Sequence, residues 1–182
     1  MRVRPRTDSG FTVTELLLTV VVLGTIAGMA LPIMSDVTAS VKLNEATRTI
    51  ERELQGARLK SVSTNRLLRV RTNCPSVGYF RTVEVIGSAA DNAAGRCLQT
   101  TYPFPPADTE LTTLPNVDGP VKTIPNGATV GSVVIEFSPD GTVTNVVSGT
   151  PQIIATPLIV TVTRSGKSKT MAVNGLGKIQ LQ

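Results

Sequence analysis

The chain has 182 residues, one domain's worth with room for an appended segment. Hydrophobic content of 41% permits a core, but aromatics are 3% and tryptophan is absent, so that core must be built from Val, Leu, Ile and Ala. Histidine is missing altogether, which removes the commonest general base, the usual metal ligand and every Ser-His or Cys-His nucleophile pair. There is no G-x-S-x-G, no S-x-x-K and no phosphate-cradling glycine loop. The composition therefore points away from an enzyme, and it calls for no cofactor and no metal. A net charge of +5 is mild and suits a polyanion partner without demanding one.

In chain order, a basic stretch with Arg2, Arg4 and Arg6 comes first, then "FTVTELLLTVVVLGTIAGMALPIM" over residues 11–34. The apolar run holds a single charge, Glu15. As a helix it would extend roughly 36 Å, enough to cross a bilayer. The arginines before it, against a lone Lys42 in the dozen residues after it, place the N-terminus in the cytoplasm and the rest outside the inner membrane. A carboxylate in hydrocarbon is costly, so Glu15 needs a partner. A plain single-pass anchor and a secretory signal peptide cut near Ala30, at "AGMA", both account for the apolar run and leave Glu15 unexplained.

Past Pro32 the helical pattern continues. Leu43, Ala46, Ile50, Leu54 and Ala57 recur at steps of three and four, with Lys42, Glu45, Arg48, Glu51, Arg52 and Gln55 on the other faces. The spacing predicts one helix from about residue 11 to about 62, with a kink at Pro32 allowed. Its second half should pack that stripe on a sheet. Strands are predicted at "RLLRVRT", "YFRTVEVI", "SVVIEFS", "IIATPLIVTVTR", "KTMAV" and "KIQL", separated by turns such as "PDG" at 139–141 and "RSGK" at 164–167. Residues 87–126, rich in Pro, Gly, Asp and Thr, read as loop with room for two short strands. The fold class is α+β. Cys74 and Cys97 enclose a flexible loop, and a compartment outside the inner membrane would let them form a disulfide; in a reducing one they would be two small buried thiols.

The glycine–phenylalanine pair, the glutamate fifth from Phe11, the basic leader and the unbroken apolar run together resemble the class III signal of type IV pilin-like proteins. The resemblance implies a leader over 1–10, cut between Gly10 and Phe11 by a prepilin peptidase, with N-methylation of the new Phe11 amine. It implies a membrane and filament-core helix over 11–34 and a periplasmic domain over 35–182, helical to 62 and β-rich from 63. In a filament, Glu15 of one subunit can pair with the Phe11 amine of a neighbour, and Pro32 can soften the helix during assembly. The stretches "ELQGARLKSVSTNRLLRVRTNC", "VVIEFSPDGTV" and "KTMAVNGLGKIQL" are similar to the GspH/FimT branch, minor pseudopilins of type II secretion and minor pilins of type IV pili. The partners implied are other pilins or pseudopilins, prepilin peptidase and the inner membrane. FimT-like proteins also suggest non-specific double-stranded DNA. The candidates for phosphate contact are Arg66, Arg69 and Arg71, beside Arg58 and Lys60, and then Arg164, Lys167, Lys169 and Lys178. A solvated surface that meets neighbouring subunits is the plainer reading of both clusters.

Overall fold

The computed structural model describes residues 10–106 and 114–182, the side chains of 30–33 excepted. Residues 1–9 of the leader expected over 1–10, and the side chain of Pro32, lie outside the described residues. The chain forms two compact units, residues 1–38 and 39–182.

A single helix, α1 (Val13–Thr64), runs from the first unit into the second. In the first unit its side chains from Val13 to Met29 are all exposed. Among the described residues it is the one helix long and apolar enough to cross a membrane. The threonine hydroxyls of this part are spent on the helix itself: Thr19 donates to Leu16 O and Thr25 to Val22 O, each at 2.8 Å. Such back-bonding lets a hydroxyl sit in an apolar medium without an unmet polar group.

In the second unit, the predicted stripe is the buried one. Leu43, Ala46, Ile50, Leu54 and Ala57 are all under 5% exposed and lie against two antiparallel sheets. The first sheet is built from β1 (Leu68–Thr72), β2 (Tyr79–Glu84), β3 (Val121–Thr123), β5 (Val134–Phe137), β6 (Val143–Val147) and β7 (Thr150–Ile153). Its order is β3-β2-β1-β5-β6-β7. The second sheet contains β4 (Thr129–Val130), β8 (Leu158–Arg164), β9 (Lys167–Val173) and β10 (Ile179–Leu181), in the order β10-β9-β8-β4. The α+β class is therefore as expected: one long N-terminal helix followed by antiparallel sheet. Val70, Phe80, Ile135, Phe137 and Val143 from the first sheet meet Val160, Val162, Met171 and Val173 from the second in one core.

Three departures from the sequence expectations have physical causes. "IIATPLIVTVTR" is two strands, because the chain leaves β7 at Ile153, turns at Ala155 N–Ile153 O (3.1 Å), passes Pro157 and re-enters as β8. The β6–β7 hairpin was not expected; its turn is Ser148-Gly149, with φ of +50° and +82°, the mirror-image geometry that suits a two-residue hairpin loop. The Ser165-Gly166 turn between β8 and β9 has the same form, at +49° and +75°. Within 87–126 the described residues hold one strand, β3, two short 3-10 turns, Ala89–Asn92 and Ala94–Cys97, and the start of a third, Pro125–Gly127.

Candidate functional site

The first candidate site is the start of α1. Thr12 stands just before the helix, and its carbonyl accepts the Leu16 N–H at 3.1 Å. Its hydroxyl oxygen accepts the Glu15 N–H at 3.3 Å, while Glu15 Oε2 accepts the Thr12 N–H at 3.1 Å and the Thr12 hydroxyl at 3.0 Å. This is a reciprocal capping box, T-x-x-E, closing two of the four N–H groups that a helix start leaves unpaired. The sequence pattern was there to be read and was missed. Glu15 thus has a partner within its own chain, one residue from Phe11, and its carboxylate is exposed together with Gly10 and Phe11. The capping holds the acid at the very start of the helix, beside Phe11.

The second is a set of arginines in the unit 39–182. Alternation along β1 turns Leu68 and Val70 to one face, where Val70 joins the core with the helix, and Arg69 and Arg71 to the opposite face, where β2 places Arg81 directly across from Arg71. That face is covered by the chain between β2 and β3. Arg69, 3% exposed, pairs with Glu136 on the neighbouring strand and donates to Asp91 O at 2.7 Å and Asn92 Oδ1 at 2.8 Å. Arg71 donates to Ala93 O at 2.9 Å. Arg81 donates to the carbonyls of Gly119 (2.9 Å), Arg96 (3.2 Å) and Tyr102 (2.7 Å).

Arg96, fully buried, forms an ion pair with Asp118 through both of its terminal nitrogens, donates to Glu84 O at 2.8 Å and stacks 4.3 Å from the Tyr102 ring centre. Asp118 also accepts the Glu84 N–H at 2.8 Å and lies 3.6 Å from the Arg81 guanidinium. Glu84 in turn binds Arg66 at 3.1 Å and the N–H groups of Asn116 and Val117. Cys74 and Cys97 are joined in a disulfide, their Cα atoms 5.3 Å apart, next to Arg96. Among the described residues the core cluster has none between Phe80 and Ile124, and ion pairs, carbonyl contacts and one disulfide hold this cover. Burial pushes the Arg81 guanidinium down, the Asp118 carboxylate pushes it back, and Arg96 adds repulsion.

These contacts correct part of the phosphate-binding set. Arg69 is a buried ion-pair member and offers no surface to a backbone phosphate. Arg66 is engaged by Glu84, and Arg71, half-buried, is pushed down by burial and by its neighbours Arg69 and Arg96. The first cluster is thus mostly a clamp on the protein's own loop. Arg58 donates to Leu176 O at 3.0 Å and Lys60 to Val117 O at 2.7 Å. In the second cluster Arg164 donates to Asn126 O at 2.7 Å and Lys167 reaches Ser40 Oγ at 3.4 Å, while Lys169 and Lys178 are exposed. Nothing in the sequence separates the clamping arginines from the exposed lysines, because the acids that pair with them lie far along the chain.

Among the described residues no group of His, Cys, Asp or Glu could hold a metal ion. No family model matches the chain, and no curated protein matches it. A solved structure similar to it is that of the type IV minor pilin FimU from Pseudomonas aeruginosa, with 16% identity, coverage of 80% of this chain and 91% of that one, and a TM-score of 0.49.

Proposed function

We propose that the protein is a minor pilin or pseudopilin of the GspH/FimT kind, a structural subunit and not an enzyme, built into a periplasmic filament through the first half of α1. The observation that carries this is the start of the helix: G-F-T-V-T-E, then an apolar run whose described side chains are all exposed, interrupted by one carboxylate at its end. A prepilin peptidase cuts between Gly10 and Phe11 and methylates the Phe11 amine. The protein waits in the inner membrane with its N-terminus inside and residues 39–182 outside. On assembly, Glu15 exchanges its contact with Thr12 for the Phe11 ammonium of a neighbour, since a charge removed from water is tolerated when paired. The experiment is crosslinking of Glu15→Ala and Thr12→Val to partner pilins, normalised to membrane abundance. Pairing between subunits predicts that Glu15→Ala inserts normally and fails to crosslink, while Thr12→Val, which removes only the cap hydroxyl, still assembles. Equal loss in both would reduce Glu15 to a helix cap.

DNA binding remains the alternative reading. It would now rest on Lys169 and Lys178.

A further inference from the structure

Between the second half of α1 and the β2–β3 end of the first sheet lies a cleft of about 330 Å³, large enough for one anchoring side chain and its neighbour. Its floor is apolar, with buried Phe80 and Ala57, and Phe104, 45% exposed, forms one wall. Its rim is cationic. Lys122 is taken up by Glu53 at 2.6 Å, but Arg52 is exposed, and Lys60 spends only one of its three protons, on Val117 O. The helix opens the cleft at Gly56, where an added Cβ would meet nothing within 4 Å. The opposite wall is fitted closely: a Cβ on Gly119 would come within 3.3 Å of Thr82 O.

We propose that this cleft is a docking site for a partner protein's peptide segment in which an aromatic or large aliphatic anchor is flanked by carboxylates. The anchor fills the space beside Phe80 and Phe104, and the carboxylates meet Arg52 and Lys60. Charge complementarity chooses this occupant: three cations and one carboxylate line a site whose floor is hydrocarbon, so a neutral apolar guest would leave the cations unused and a bare anion would leave the floor wet. Burial pushes the Lys60 ammonium down, Asp118 and Glu84 push it back up, and Lys122 adds to its cost, so an anionic guest relieves an existing penalty. The site lies wholly within residues 39–182 and does not rest on the filament reading.

The test uses the full chain, isotopically labelled, in an uncharged detergent. The probe is a capped peptide of one phenylalanine followed by two glutamates, compared with its glutamine analogue. The expected result is a saturable shift of the Gly56, Lys60 and Gly119 amide signals. The glutamine analogue should bind about tenfold more weakly or worse, as the loss of charge-assisted hydrogen bonds implies. Lys60→Met should weaken the acidic peptide by about the same factor. Gly56→Leu, which fills the cleft from the helix side and favours helix, should abolish binding while the unfolding transition does not fall. No shift at those amides, equal affinity for the two peptides, or unchanged binding by Gly56→Leu would each overturn the proposal.

Discussion

Consider Asp118→Asn. The substitution keeps size and shape and removes one charge from a place where both guanidinium partners, Arg81 and Arg96, have side chains with no exposed surface. Two buried cations would then share an amide that can accept hydrogen bonds but cannot balance them. Breaking a buried pair in this way costs roughly 3–5 kcal/mol, a large part of the 5–15 kcal/mol typical of a whole domain. At about 2–4 °C per kcal/mol for a chain of this size, the midpoint should fall by roughly 6–20 °C. The assay is urea and thermal unfolding of a chain beginning at residue 36, with the disulfide intact. That choice is sound because, among the described residues, every buried apolar side chain lies at or beyond Leu43. A loss under about 1 kcal/mol, the value of an exposed pair, would mean that water reaches Arg81 and Arg96 and that the clamp is not a buried one.

Three further outcomes follow from the same structure. Leu54→Ala, at 1% exposure in the centre of the stripe, should cost about 2–5 kcal/mol in the same urea assay, whereas Leu59→Ala, 70% exposed on the outer face, should cost almost nothing. Reducing Cys74–Cys97 should cost roughly 3.5 kcal/mol on chain-entropy grounds, and hydrogen exchange should rise first in residues 89–106 while β8 and β9 stay protected. Asp140 accepts the Thr142 hydroxyl at 2.7 Å and the Thr142 N–H at 2.9 Å, which hold its carboxyl below the usual range. Its contribution is therefore present above the ordinary carboxylate range and lost as pH falls through the lowered value. Thr142→Val should raise the midpoint seen by carbon NMR, and its stability deficit relative to wild type should vanish in acid.

The helix and its buried stripe were legible because a 3.6-residue period is local and survives any tertiary context. The capping box was equally legible at Thr12 and Glu15. The β6–β7 hairpin carried the same Ser-Gly signal as the β8–β9 turn, but Asn145 and Pro151 weakened the strand pattern on either side of it. The arginine clamp was not legible. Alternation along β1 showed that Arg69 and Arg71 turn away from Leu68 and Val70, and an open face of basic residues looks like a phosphate surface. What closes that face is the chain between β2 and β3, which has no period to betray it. Arg69 finds Glu136 67 positions away, and Arg96 finds Asp118 22 positions away. Pairing across such distances is a property of the fold.

The proposed role requires that residues 1–10 be a leader and that the working protein begin at Phe11. The measurement is the intact mass and N-terminal sequence of the protein isolated from membranes, made with and without an active prepilin peptidase. A filament subunit should start at Phe11 and carry one added methyl group when the enzyme is active, and stay uncut when it is not. A mature N-terminus near Ala30, or a chain that keeps Arg2, Arg4 and Arg6 in the presence of the peptidase, would contradict it.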